Sequence, residues 1–250
     1  MKAADKMHIV IQGAGRGIGL ALAQHALKAG ATNLYLTARA PETSDGYTLL
    51  PPSDRISWFA MDFLDTDSIA QTGAAISNAA PHLHRVISTA GILHDTDIQP
   101  EKHIGALNPA AMLRLYQVNA MGPALFWQAL WRRLRSSAGV EVASISARVG
   151  SISDNHLGGW YSYRASKSAL NQLSRTMSIE LARYNPAACV ITLHPGTVDT
   201  ALSKPFQAKL GQNQLTHVDE AAANLWAVMD KTGADDTGGF FAYDGSPIPF

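Results

Sequence analysis

Tyr163 and Lys167 are the residues from which chemistry is most directly read. In a helix, positions four apart lie on one face, so a phenol and an ammonium would stand side by side. A phenol titrating near 10 is a poor proton donor at neutral pH. With the two charges ~5 Å apart and an effective dielectric of ~20, their attraction is ~3 kcal/mol, or about two pK units. The phenol is then expected to titrate near ~8, close enough to neutrality for general acid and base work. A Tyr-x-x-x-Lys spacing also arises by chance, and a lone tyrosine commonly serves as amphipathic packing. The pair acquires meaning from its company.

Gly13-Ala14-Gly15-Arg16-Gly17-Ile18-Gly19 follows an apolar run, His8 to Gln12, and opens a helical stretch from Ile18 to Ala29. Glycines at such a turn let the backbone approach a pyrophosphate, which then sits on the positive end of the helix. The spacing is G-x-x-x-G-x-G rather than G-x-G-x-x-G, and a strand-to-helix turn with no nucleotide also uses glycine. The second strand ends Leu34-Tyr35-Leu36-Thr37-Ala38-Arg39, where an acid would bond the free ribose 2′-hydroxyl of NAD and an arginine suits a 2′-phosphate. No acid lies between Leu34 and Glu42, and Arg39 with Arg16 can hold that phosphate from two sides. NADP(H) is therefore the expected cofactor, with NAD(H) still possible; two solvated surface arginines are the plain alternative.

The elements that must position these groups alternate. Short β-rich runs are expected at 8–12, 33–37, 56–60, 85–89, 140–145, 189–193 and 240–243, and helices at 18–29, 67–78, 109–134, 161–183 and 218–231. Alternation of this kind predicts an α/β fold: a doubly wound, parallel seven-stranded sheet of the Rossmann type with helices on both faces. Gly30 is expected just past the end of the first helix, and Thr66 or Asp67 at the start of the second. Residues 41–54, rich in proline, read as a surface excursion, and Ser203 to Thr216 as part of a lid over a cleft, spanning about 200–217. With no repeat or linker, residues 1–250 read as one domain. Apolar residues on more than one face of the long helices, among them Leu113, Tyr116, Leu125 and Leu130, and Leu170, Leu173, Met177 and Leu181, suggest a partner.

The composition excludes other classes. Twenty Lys and Arg balance twenty Asp and Glu over 250 residues, which argues against nucleic acid as a partner. The first six residues carry no apolar leader and no run reaches the ~18 apolar residues of a membrane span, so no membrane partner and a cytoplasmic location are expected. The nine histidines show no ligand spacing, so no metal is expected. Cys189, alone and inside an apolar run, reads as core. The basic run Trp131 to Arg135 suits a helix C-terminus.

Five motifs in order carry a family resemblance: the glycine loop at 13–19, Ser88-Thr89-Ala90-Gly91, Asn119, Tyr163 with Lys167, and Pro195-Gly196-Thr197-Val198-Asp199-Thr200. With them the chain resembles the classical short-chain dehydrogenases/reductases from His8 to Gly245. Ser146-Ala147-Arg148-Val149-Gly150-Ser151-Ile152, Gly158-Gly159-Trp160-Tyr161-Ser162-Tyr163-Arg164 and the ending Gly239 to Gly245 look like the branch that holds C-factor and the carbonyl reductase Sniffer. The resemblance implies hydride transfer between a nicotinamide and a carbonyl or alcohol substrate of small size, and a homodimer or homotetramer built on the two long helices. It implies Tyr163 as acid/base, Lys167 on the nicotinamide ribose lowering the tyrosine pKa, and Asn119 holding a water in a proton relay. It also implies Gly13, Arg16, Gly17, Ile18, Gly19, Arg39, Asp62, Ala90, Gly91, Val198 and Thr200 along the cofactor, with Asp62 at the adenine amino group and Val198 and Thr200 at the carboxamide.

Three places depart from the family pattern. Gln12 stands for the usual Thr, and Ser88-Thr89 for Asn-Asn; a polar side chain in each can still bridge strands. The third is Ala147, in the slot of the serine that orients the substrate carbonyl. Ser146 is the expected replacement and Ser151 the other candidate, although strand alternation points Ser146 to the opposite side. A missing donor of this kind is worth about two to three orders of magnitude in turnover. The rival reading is therefore a nucleotide-binding signalling or interaction protein of the C-factor kind with little or no turnover. Ile92, Leu93, Leu157, Trp160 and Phe206 suggest an uncharged substrate, with His94, Asn155 and His156 at the mouth of the cleft.

Overall fold

The computed structural model describes residues 7–209, 211 and 215–250. The expected N-terminal stretch 1–6 and residues 210 and 212–214 of the expected lid lie outside the described residues. Seven strands form one sheet: β1 (His8–Gln12), β2 (Asn33–Ala38), β3 (Ile56–Ala60), β4 (Arg85–Ser88), β5 (Glu141–Ile145), β6 (Cys189–His194) and β7 (Phe240–Ala242). Every pairing is parallel and the order is β3-β2-β1-β4-β5-β6-β7. The order reverses between β1 and β4, which opens a crevice at the carboxyl ends of those strands.

The helices are α1 (Gly17–Lys28), α2 (Asp45–Leu49), α3 (Thr66–Ala79), α4 (Pro109–Tyr116), α5 (Gly122–Ser136), α6 (Tyr161–Ala182) and α7 (Val218–Lys231). They cover the sheet on both faces because side chains alternate along each strand. Ile9, Ile11, Leu34, Leu36, Ile87 and Ile191 pack with Leu22 of α1 and Leu225 and Trp226 of α7. Val10, Tyr35, Val86, Val142 and Val190 pack with Ile69 and Ile76 of α3, Phe126 and Leu130 of α5, and Leu170 and Leu181 of α6. Cys189 is buried, and burial pushes its thiol up to about 12. Among the described residues no helix is long and apolar enough to cross a membrane.

Three boundaries differ from expectation for local reasons. The helix expected over 109–134 is broken by a π-turn at Gln117–Met121, closed by the Gly122 N–H donating to Gln117 O. The carboxylate of Asp65, rather than Thr66 or Asp67, caps α3 by accepting from Asp67 N and Ser68 N. The excursion at 41–54 contains α2, whose Gly46 N–H donates to Gly15 O at 2.8 Å and ties it to the glycine loop. Gly30, at φ +88°, does follow the end of α1. In the basic run at the end of α5, Arg133 bonds the carbonyls of Ser77 and Pro81.

At the opposite end of the sheet from the glycine loop, Arg85 Nε meets Glu141 Oε2 at 2.6 Å and Arg85 Nη2 meets Asp230 at 3.1 Å, with the guanidinium 4.5 Å over the Trp226 ring. Burial pushes the Glu141 carboxyl up to about 7 against the pull of Arg85 and Thr232. Because that value lies above the ordinary 4.5, unfolding releases a proton inside this window, so the group's contribution to stability falls as pH rises through it and levels off above about 7. Arg85→Met leaves the carboxylate without its cation and, among the described residues, with only the Thr232 hydroxyl bonded to it, a loss of about 3–5 kcal/mol when it is ionised. Urea unfolding is expected to show the full loss at pH 8.5 and a smaller one at pH 5, where the carboxyl takes a proton.

Candidate active site

The glycine loop leaves the end of β1 and is held there by its neighbours. Gly13 has φ +88°, and a Cβ on it would stand 2.8 Å from Ala90 N; a Cβ on Gly19 would stand 2.2 Å from Gly13 O. Only glycine fits either place, and the backbone is left bare at the N-terminus of α1. Gln12 and Thr89 make the cross-strand bonds expected of them: Ala90 N donates to Gln12 Oε1 at 3.2 Å, and Thr89 Oγ1 donates to Gln12 O at 2.8 Å. A Cβ on Gly17 would lie 3.6 Å from Thr200 Cγ2, so the loop after β6 faces the glycine loop across the strand ends. Ile18 is half-buried in the opening turn of α1. Arg16 and Arg39 are exposed, and among the described residues neither meets an acid within ion-pair distance. Asp62 follows β3, its Oδ1 accepting from Leu64 N at 3.0 Å. Val198 is buried, and its carbonyl accepts from Ser203 Oγ at 2.5 Å.

Tyr163 and Lys167 enter on the first turns of α6 and are both buried. Lys167 Nζ donates to Ile145 O at the end of β5 at 2.8 Å and lies 5.9 Å from the centre of the Tyr163 ring. A Cβ on Gly91 would stand 3.2 Å from Asn119 Oδ1 and 3.4 Å from Lys167 Nζ, so the structure gathers Gly91, Asn119 and Lys167. Asn119 sits in the π-turn, a feature frequent at functional sites. Its side chain accepts from Ile92 N at 2.8 Å and donates to Ile92 O at 2.8 Å and Ser166 Oγ at 2.9 Å, pinning the loop after β4 to α6.

The phenol does not follow the expected shift toward 8. Burial pushes Tyr163 above its ordinary 10, and burial pulls Lys167 down to about 8. The pairwise attraction drawn from the sequence left out desolvation, which dominates both groups once they are dry.

Around Tyr163 lie Leu93, Ile98 and Leu115, with Ile92, Ala147, Trp160, Leu202 and Phe206 packed against them. Trp160 stands 6.2 Å from the Tyr163 ring and 5.0 Å from Phe206, and His94 Nε2 donates to Leu202 O at 3.1 Å. Leu157 is not part of this wall; it is 93% exposed, as its loop between glycines turns outward. His156 is exposed, and Asn155 accepts from Gly158 N at 3.1 Å. Among the described residues no group of three His, Cys, Asp or Glu could hold a metal.

Both candidate serine hydroxyls are engaged elsewhere. Ser146 Oγ donates to Asn171 Oδ1 at 2.6 Å, and Asn171 Nδ2 donates to Gly150 O at 3.2 Å. Ser151 Oγ accepts from Asp154 N at 3.1 Å. Alternation at the end of β5 thus sends Ser146 to α6 and leaves the methyl of Ala147 in the cluster with Tyr163. Sequence reasoning missed Asn171, although its place four residues after Lys167 puts it on the same helical face.

The short chain dehydrogenase family model matches residues 7–211, and the chain belongs to that family of oxidoreductases. C-signal of Myxococcus xanthus is 33% identical over 148 residues, covering 59% of this chain and 83% of that protein. The NADPH-bound carbonyl reductase from chicken fatty liver superposes with a TM-score of 0.86 at 25% identity, covering 98% of this chain and 94% of that one. The carbonyl reductase Sniffer of D. melanogaster gives 0.86 at 26% identity, covering 98% and 100%. These place the chain in the branch with C-signal and the Sniffer-like carbonyl reductases.

The Ser146–Asn171 bond carries a stability prediction. Ser146→Ala leaves a buried amide oxygen without its donor and is expected to cost about 1–3 kcal/mol. The urea midpoint should fall with an unchanged slope.

Proposed function

We propose that this protein is an NADPH-dependent oxidoreductase that interconverts an uncharged carbonyl compound and its alcohol, with Tyr163 as acid/base and Lys167 as its assistant. The observation that carries this reading is the burial of Tyr163 and Lys167 between Gly91 and Asn119 on one side and an apolar cluster on the other. The bare cradle at Gly13 and Gly19 fits a pyrophosphate. Arg16 and Arg39, which meet no acid among the described residues, suit a 2′-phosphate, and a carbonyl reductase of the same fold holds NADPH. Ile18, Gly17, Asp62, Ala90, Val198 and Thr200 complete the cofactor groove in this reading. The single sheet supports one domain over residues 1–250 with 200–217 as its lid, and the exposed Leu113 and Tyr116 of α4 support a homodimer or homotetramer.

NADPH, when bound, supplies the hydride. Tyr163 gives its proton to the carbonyl oxygen as that oxygen gains charge. A phenol raised by burial keeps that proton through the neutral range, the state reduction requires. Lys167, held by Ile145 O, would bond the nicotinamide ribose and keeps a positive charge beside the phenolate left behind. Asn119 holds the loop after β4 against α6, and Ser146 acts through Asn171 to keep β5 and α6 in register. The apolar wall excludes water and favours an apolar carbonyl compound. Turnover without the second donor that Ala147 replaces is expected to be slow. That same replacement and the likeness to C-signal support the rival reading, a nucleotide-binding signalling protein.

Oxidation of NADPH followed at 340 nm against aldehydes, ketones and quinones separates the two. Turnover that falls about a hundredfold or more in Tyr163→Phe, with NADPH still bound, supports the reductase; tight NADPH binding with no turnover on any compound favours signalling. Arg39→Asp is expected to reverse the preference toward NADH, and unchanged selectivity would remove Arg39 from the groove. The pH profile has a definite sign. Lys167, lowered to about 8, is charged below that pH and neutral above it, so kcat/KM for reduction is expected to hold from pH 6 to 7.5 and fall above about 8.

A further inference from the structure

We propose that Glu101 is a positioning residue for Tyr163: from the loop after β4, its buried carboxylate caps the first turn of the helix that carries the phenol. The reductase reading above supplies what Tyr163 does; how it is held is independent of that reading.

Helix α6 begins without a cap of its own. Its N-cap is Trp160, whose side chain offers no acceptor to the first turn, and that turn contains no acid. The free N–H groups of a helix start fray unless something accepts from them. Glu101, 5% exposed and 61 residues away in sequence, supplies the acceptors. Its Oε2 accepts from Ser162 N at 3.2 Å, its Oε1 accepts from Ser162 Oγ, and its backbone carbonyl accepts from Trp160 N. A carboxylate at this end also opposes the positive pole of a 22-residue helix.

The bonds fall on the residues where alignment matters. Trp160 has φ +53° and is the only non-glycine at positive φ among the described residues, a conformation that persists where neighbours impose it. Its ring lies against Tyr163 and Phe206. Ser162 immediately precedes Tyr163, so anchoring its N–H and hydroxyl fixes the start of the turn that aims the phenol. The same loop bonds Asn119 through Ile92 and the carbonyl of Leu202 through His94. Glu101 is where that loop reaches the acid/base helix. A displacement of about 1 Å at a reacting group costs about a hundredfold in rate.

The test compares Glu101→Ala and Glu101→Gln with the parent protein by three readouts: hydrogen exchange of residues 158–166, NADPH affinity, and kcat with KM on the compound the parent reduces best. Glu101→Ala is expected to speed exchange at 161–164 at least about tenfold and to lower kcat about ten- to a hundredfold, with NADPH affinity within about twofold. Glu101→Gln keeps one acceptor oxygen and should recover most of both losses. Parental exchange and kcat in Glu101→Ala would overturn the proposal, as would a Gln variant no better than Ala. Should Glu101→Ala fail to fold, Glu101→Asp, which draws the charge back by one methylene, carries the same comparison. If the parent reduces nothing, the reductase reading fails by itself, and the exchange data still decide whether Glu101 holds the turn.

Discussion

The bond from Lys167 Nζ to Ile145 O is the constraint on which the rest of the site depends. It ties the first turns of α6 to the carboxyl end of β5, where the parallel sheet opens. A buried ammonium is costly unless it is well bonded, and burial has already drawn Lys167 down to about 8. The fold offsets that cost with a main-chain carbonyl at the end of the strand. Asn171 and Ser146 repeat the tie one helical turn further on. With α6 fixed in this way, Tyr163 stands in the apolar cluster while Lys167 meets Gly91 and Asn119.

The same stitching explains the weakest point of the site. Ser146 is engaged because it helps hold α6, and alternation along the strand end then gives the pocket only the methyl of Ala147. The site keeps a buried phenol, a nearby ammonium and an apolar wall, and position 147 offers it a methyl in place of a hydroxyl. Polar engagement of Asn119 follows a similar logic: its amide is spent on Ile92 and Ser166, which fixes the loop after β4 against α6.

Much of this was legible in the residues. The seven strands read clearly because parallel strands covered on both faces are continuous apolar runs, as in Ile9-Val10-Ile11 and Val190-Ile191. Tyr163, Lys167 and the glycine loop were legible because their spacing is local. The π-turn at Asn119 was not, since the apolar pattern runs through it without a proline or glycine until Gly122. Helix α2 was hidden by its brevity and by the prolines that flank it, Pro41, Pro51 and Pro52, and the cap of α3 lay one residue before the expected position. The phenol's shift was misjudged because burial is a property of the whole fold. Glu101 left no local signal, since its partners are 61 residues downstream.

The measurement that bears most directly on this account is the turnover of Ala147→Ser beside the parent. The side chain at 147 faces the Tyr163 cluster, so restoring a hydroxyl there adds the donor that Ser146 does not supply. The account predicts a rise in kcat/KM of at least about tenfold, toward the two to three orders of magnitude that such a donor is worth, with NADPH affinity unchanged. No gain, with the parent already reducing carbonyl compounds at full rate, would contradict it.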